Sequence, residues 1–234
     1  MIQKAISIAI DGPVGAGKGT LAVALAKKIN ALYVYTGAMY RELALACLRE
    51  KIDINNEEEV LKILNKIYIE LKNTDYGVRA FLDGKEVSDE IFKPHVSKMV
   101  PIVAAFPKVR CEMVLRQQKT AKDAMRKGKN VVMEGRDIAT DVLHDADIKI
   151  YLTADTGVRT QRRLKQLEER GIKTSFNEVL KDIEERDRQD KERSASPLRI
   201  TEDAVVIDTT NDTIDQTVNK VIEKLKEKNL ILKG

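Results

Sequence analysis

Apolar residues fall in short unbroken runs at Ala5–Ile10, Ala31–Tyr35, Asn130–Met133, Ile148–Leu152 and Ala204–Ile207. Runs of this length without polar alternation fit strands covered on both faces, as in a parallel sheet. Between them, apolar residues recur at helical spacing over Lys18–Ile29, Ala38–Glu50, Lys108–Lys127, Thr156–Arg170, Phe176–Asp190 and Thr213–Lys228. The alternation predicts a three-layer α/β fold around a parallel sheet of five strands. One stretch departs from it. From Tyr68 to Ile91, "YIELKNTDYGVRAFLDGKEVSDEI" alternates with period two and carries turn signals at Thr74–Gly77 and Asp83–Gly84, predicting a small antiparallel insertion. Near the end of the charged region, Pro197 in "SASPL" stops any helix from continuing.

Bulk properties narrow the class. The 234 residues, 43% hydrophobic and 33% charged, suffice for one large globular domain or a core with insertions. No window approaches the roughly 18 unbroken apolar residues of a membrane span. Ala5–Ile10 is too short for a secretory signal. Cys47 and Cys111 stand alone in apolar-periodic segments, so a reducing cytoplasm is expected rather than a disulfide framework. The two cysteines and two histidines are too scattered for a structural zinc site. A net charge of +4 suits polyanionic small molecules, while 4% aromatics and no tryptophan give no nucleic-acid-binding face. With no exposed apolar stripe evident, a monomer is expected.

The first run leads into "GPVGAGKGT", Gly12 to Thr20, and then into a helical pattern. Gly12, Gly17 and Lys18 fit the phosphate-loop formula G-x-x-x-x-G-K-[ST]. Its glycines let backbone N–H groups approach a phosphate, the helix start adds positive potential, and Lys18 supplies a charge for the β- and γ-phosphates. The last position, whose hydroxyl normally holds Mg²⁺, is Gly19; Thr20 comes one residue late. Mg²⁺ often keeps several waters while bridging substrate phosphates, so a site with two phosphate-bearing substrates can spare a protein hydroxyl. The Gly-Lys-Gly-Thr form resembles the nucleoside monophosphate kinases.

Three further segments sit near predicted strand ends or helix starts: "YTGAMYR" around Thr36–Arg41, "AAFPKVR" at Ala104–Arg110 and "MEGRDIATDV" at Met133–Val142. Each brings an arginine, Arg41, Arg110 or Arg136, and open α/β sheets bind ligands beyond the strand C-termini. A single arginine is ordinarily a surface residue; with the loop, the set points to a second phosphate site, since the guanidinium fork donates two parallel bonds. These stretches, with "ERDRQDKERSASPL" at Glu185–Leu198 and the insertion at Tyr68–Ile91, resemble the bacterial cytidylate kinases of the long type. The resemblance covers almost the whole chain.

It implies a P-loop kinase fold with a small antiparallel β insertion and a helical lid. Residues 1–36, 107–158 and 191–234 would form the core, 37–106 the monophosphate-binding part with its insertion near 67–93, and 159–190 the lid with its flanking helices. It implies phosphorylation of CMP and dCMP by ATP with Mg²⁺. ATP would be held by Gly12, Pro13, Val14, Gly15, Ala16, Gly17, Lys18, Gly19 and Thr20 with Arg162 and Arg163. The acceptor would be held by Thr36, Arg41, Arg110, Arg136, Asp137, Arg186, Asp190 and Arg193. Lys18, Arg136, Arg162 and Arg186 would carry catalysis. Arg159 also falls at a matching lid position, although Arg162 and Arg163 fit better. No side chain is expected on the metal directly; Asp11 and Glu134 could act through water, or serve as buried acids paired with Lys18.

Arg110 and Asp137 match the pair that reads cytosine, and the chemistry agrees. A carboxylate accepts from the N4 amino group and an arginine serves the acceptor side, whereas uracil would turn a carbonyl toward Asp137. Two positions depart from the family. Tyr35 stands where an acid is often found, and Pro101 where some members use a serine for the base. The charge-dense "RTQRRLKQLEERGIK" and "EERDRQDKER" form helices whose charges mostly face solvent, with Gly171 as the turn of a hairpin able to close and exclude water. The acceptor is a phosphate oxygen, largely ionised at neutral pH because its second pKa is about 6, so no histidine base is needed. His95 and His144 are expected to be structural or surface residues. A kinase for another monophosphate is the nearest alternative, and a P-loop switch or nucleic-acid-binding protein the alternative from another class.

Overall fold

The computed structural model describes residues 4–74 and 77–231. The chain runs β1 (Ser7–Asp11), α1 (Lys18–Lys28), β2 (Ala31–Tyr35), α2 (Thr36–Glu50), α3 (Glu57–Lys66), β3 (Ile69–Thr74), β4 (Gly77–Leu82), β5 (Lys85–Glu86), α4 (Pro94–Ala105), α5 (Pro107–Arg126), β6 (Asn130–Glu134), β7 (Ile148–Thr153), α6 (Thr156–Glu168), α7 (Phe176–Glu192), β8 (Val205–Asp208) and α8 (Ile214–Glu227). The expected five-stranded parallel sheet is present, in the order β2-β6-β1-β7-β8.

Successive β1 side chains go to opposite faces, as strand geometry requires. Ile8 and Ile10 pack with Leu21 and Leu25 of α1 and Val221 and Leu225 of α8. Ala9 joins Ala121 and Ala124 of α5, with Val34, Met133 and Ile138. This gives the three layers. Four strands run one residue past their apolar runs, into Asp11, Glu134, Thr153 and Asp208. Backbone pairing continues where burial on both faces has ended, and there the chain places polar groups. The register pairs Ile10 and Tyr35 each with Glu134, so the segments leaving β1, β2 and β6 start from one edge of the sheet.

The insertion is also present: β3, β4 and β5 form an antiparallel sheet. Asp83 and Gly84 turn β4 into β5 with φ of 51° and 78°, and the Asp83 carboxylate accepts from the Tyr68 N–H at 2.7 Å. Asp75 and Tyr76, the middle of the other expected turn, lie outside the described residues. This sheet packs with α2, α3 and α4 around a separate core that includes Leu43, Leu64, Ile91, Val96 and Met113.

Two helices of that region were not anticipated. In α3, the Asn56 side chain caps the Glu58 and Glu59 N–H groups, and Val60, Ile63 and Leu64 form its buried stripe. In α4, Pro94 occupies the first turn, where a missing N–H costs nothing, but Pro101 lies inside the helix. Among the described residues, no helix is long and apolar enough to cross a membrane.

Candidate active site

Gly12 to Gly17 links β1 to α1, and Val14 to Thr20 line a cavity of about 850 Å³. Gly17 is the N-cap of α1, without a side-chain cap, and the first turn carries no acid. Its N–H groups are therefore available to an anion in the cavity. Lys18 is almost wholly buried, and its Nζ donates to the Gly12 and Pro13 carbonyls at 2.7 and 2.8 Å. Burial, with Arg136 adding repulsion, pushes its ammonium down to about 7. Gly15 has φ +78°, and a Cβ there would lie 2.8 Å from the Arg159 carbonyl oxygen. The loop thus rests directly on α6.

Arg159 is not on the cavity wall. Its buried guanidinium donates to the carbonyls of Ala154 (3.0 Å) and Val14 (3.1 Å), to Thr156 Oγ1 (2.9 Å) and to Asp187 Oδ2 (2.6 Å). It ties the phosphate loop to α6 and α7 rather than waiting over it.

The two candidate acids are placed differently. Asp11 is 2% exposed, and its two oxygens accept from the Ile138 and Ala139 N–H groups at 3.0 and 2.7 Å. Burial lifts its carboxyl to about 6. It anchors the π-helical turn Ile138–Val142 and borders neither cavity. The Lys18 ammonium bonds to loop carbonyls rather than to either acid. Glu134 borders both cavities and accepts from the Tyr33 hydroxyl at 2.5 Å. A Cβ at Gly19 would stand 3.0 Å from Glu134 Oε1 and 3.6 Å from the Tyr33 hydroxyl. The space that a serine or threonine would need at position 19 is bounded by a carboxylate. Among the described residues, no group of three or more His, Cys, Asp or Glu is arranged to hold a metal.

A second cavity, of about 530 Å³, adjoins the first and shares Val14, Tyr35, Arg41, Glu134, Arg136 and Arg186 with it. At its far side Arg110 and Asp137, 3% and 5% exposed, form an ion pair, and Arg110 also donates to the Ala104 carbonyl at 2.9 Å. The Tyr40 ring lies under Arg110, with the guanidinium carbon 5.6 Å from its centroid. Arg193 approaches the other Asp137 oxygen at 4.0 Å. Around this pair, the Tyr40 hydroxyl, Arg110 Nε and one terminal nitrogen of Arg193 are buried without a hydrogen-bond partner. Buried donors of this kind are costly unless a ligand satisfies them. Pro101 borders the same cavity.

Thr36 opens α2, and its hydroxyl donates to the Glu134 carbonyl at 2.8 Å. Arg136 donates to Asp190 at 2.6 Å. Arg41 donates to the Ile91 carbonyl at 3.0 Å and Ser97 Oγ at 2.7 Å. Among the described residues, Arg41, Arg163 and Arg186 pair with no carboxylate. Burial and mutual repulsion lower the guanidinium pKa of Arg186, and push that of Arg163 down to about 10. Such an unneutralised cluster is a site for polyanions. Arg162 borders the larger cavity but is held by Thr209, to Oγ1 at 3.0 Å and to the carbonyl at 2.6 Å. Both histidines are exposed and border neither cavity.

The structure thus brings Val14 to Thr20 and the acceptor-side residues named from sequence to two joined cavities; Gly12 and Pro13 border neither, their carbonyls being turned to the Lys18 ammonium. Tyr33, Tyr40, Phe92, Asp187 and Thr209 also take part and were not singled out. Tyr33 and Tyr40 lie among apolar neighbours, where an aromatic residue reads as core; only their hydroxyls, a donor to Glu134 and an unpartnered group, reveal otherwise.

Fold and site together define a phosphate-loop kinase. The family model described as cytidylate kinase matches residues 8–227. A cytidylate kinase from Caldanaerobacter subterraneus subsp. tengcongensis is 45% identical over 227 residues, 97% of each chain. One from Bacillus cereus is 42% identical over 221 residues, 94% of this chain and 96% of the relative. The chain therefore belongs to the cytidylate kinase family and is a nucleoside monophosphate kinase. A crystal structure of an uncharacterized protein from Eubacterium ventriosum, at 15% identity and a TM-score of 0.52, covers 96% of this chain and 99% of that one, a likeness of fold alone.

Proposed function

We propose that the protein transfers the γ-phosphoryl group of ATP to CMP and dCMP, giving ADP and CDP or dCDP, with Mg²⁺. The observation that carries this reading is the junction of the two cavities: one is floored by the phosphate loop, the other ends at Arg110–Asp137, and Arg41, Arg136 and Arg186 border both. ATP would lie on Gly12–Thr20 with Arg162 and Arg163 beside it; CMP would place its phosphate among the shared arginines. Thr36, Asp190 and Arg193 border the cavity assigned to the acceptor.

Cytosine is the base favoured by a carboxylate beside unpartnered guanidinium and phenol donors. Asp137 would accept from N4, while those donors serve O2 and N3. Transfer is in line and needs no side-chain base, because the attacking phosphate oxygen is already ionised. Lys18, Arg136, Arg162 and Arg186 stabilise charge on the transferred group, and the hairpin of α6 and α7 excludes water. The divisions at residues 37–106 and 159–190 would be the parts that move. Mg²⁺ would neutralise phosphate charge, held mainly by phosphate oxygens and water with Glu134 as the adjoining carboxylate; the chemistry around Gly19 fits an ion held in that way.

A coupled assay with ATP, Mg²⁺ and CMP, dCMP, UMP, AMP or GMP in turn tests the reading. CMP and dCMP should be turned over in preference to UMP, and Asp137→Asn should lose that preference. Arg41→Ala should weaken every monophosphate. Strong turnover of UMP without CMP would overturn the base assignment, and ATP hydrolysis indifferent to any acceptor would overturn the kinase reading.

A further inference from the structure

Arg41 pairs with no carboxylate among the described residues; one terminal nitrogen is held by the Ile91 carbonyl and Ser97 Oγ, and a ring supports the guanidinium face. Its guanidinium carbon lies 5.0 Å from the centroid of Phe92, in the short turn before α4. The same ring carries a second cation: the guanidinium carbon of Arg170, beside Gly171 at the turn of the α6–α7 hairpin, is 4.3 Å from the centroid. Phe92 is in turn aligned with Tyr35, centroids 6.3 Å apart and planes within 8°. The Tyr35 ring lies over Gly37, where a Cβ would stand 2.6 Å from it. Phe92 and Arg170 border the loop-side cavity, and Tyr35 and Arg41 border both cavities.

We propose that Phe92, aligned by Tyr35, is a positioning residue of the acceptor-phosphate site, holding Arg41 and seating Arg170 when the hairpin lies over the site. This rests on the reading of Arg41 as a phosphate ligand. The choice of a ring has a chemical reason. A carboxylate at this place would orient Arg41 but consume its N–H donors and charge, and would compete with the phosphate. A ring face attracts the cation through its quadrupole and takes up none of the in-plane donors, so those of Arg41 beyond the nitrogen bonded to Ile91 and Ser97 stay open to a phosphate. It also offers one neutral surface to two guanidinium groups that repel each other. At neighbouring Arg163, burial first and then repulsion from Arg186, Arg41 and Arg170 lower the guanidinium pKa.

The experiment compares Phe92→Leu, which keeps apolar bulk without the ring, with Phe92→Tyr, which keeps the ring. It adds Arg170→Gln, the Phe92→Leu/Arg170→Gln pair and Arg41→Ala, with a melting temperature for each. Phe92→Leu should raise KM for CMP roughly fivefold while KM for ATP moves less than about twofold. Phe92→Tyr should restore the wild-type KM. Arg170→Gln should act in the same direction, and the double variant should be no worse than Phe92→Leu alone, because both remove one contact. An unchanged KM for CMP in Phe92→Leu, equal impairment of the Leu and Tyr variants, or additive effects in the double variant would each overturn the proposal. If Arg41→Ala abolishes CMP turnover while Phe92→Leu does nothing, only this inference fails. If Arg41→Ala has no effect either, the acceptor-site reading fails with it.

Discussion

Glu42 follows Arg41 in α2 and is fully buried; neither carboxylate oxygen has a hydrogen-bond partner among the described residues. Burial alone raises its pKa from 4.5 to about 9. The folded protein therefore keeps this proton across the range in which the unfolded chain loses it. For a group whose pKa is raised by folding, its stabilising contribution is complete below the unfolded value of 4.5 and is lost as pH rises toward the folded value near 9. At 1.36 kcal/mol per unit, the loss at pH 5 is about 0.8 kcal/mol and at pH 7 about 3.4 kcal/mol. The second figure hardly changes if the folded pKa is anywhere above about 8, because at pH 7 it depends on the unfolded value alone.

Glu42→Met replaces the acid with an unbranched apolar chain. Urea unfolding of both proteins at pH 5 and pH 7 isolates the effect, since the other titrating groups cancel in the difference. The variant's advantage over wild type should grow by about 2.5 kcal/mol between those pH values. An unchanged difference would refute the reasoning and place a water or a moved side chain on the carboxylate.

Asp187→Ala leaves Arg159 buried and unpaired, so stability should fall by roughly 3 kcal/mol in urea unfolding. KM for ATP should rise with it, because Arg159 also holds the Val14 carbonyl; Arg159→Met/Asp187→Leu should recover much of the stability. Glu134→Gln should raise the Mg²⁺ concentration needed for half-maximal rate about tenfold. Tyr33→Phe should move it in the same direction by less, and a Mg²⁺ titration of ATP turnover separates the outcomes.

The core was readable because burial on both faces writes itself as apolar runs: each strand of the parallel sheet was located, with four ending one polar residue early. Helices α3 and α4 escaped for different reasons. Asn56 followed by Glu57–Glu59 is a cap signal, but the buried stripe behind it has only three residues. In α4, Pro101 reads as a break, although the helix continues through it. Around the site, the phosphate loop is contiguous and so could be read as a motif. The role of Arg159 could not, since in sequence it is one of several arginines and only Asp187 and the Val14 carbonyl distinguish it. The Tyr35–Phe92 pair joins residues far apart in the chain, and no local pattern encodes it.

The ladder joining β2 to β6 and β6 to β1 acts as a ruler. The start of α2 and the phosphate loop leave strands two steps apart, a separation of about 10 Å at the usual strand spacing. Helix packing and lid position can drift over time without altering that interval, because changing it means breaking backbone pairs rather than repacking side chains. Glu134 stands on the middle strand, between the two ends. Insertions elsewhere can vary what is bound, while the step between giver and receiver stays set by the peptide backbone.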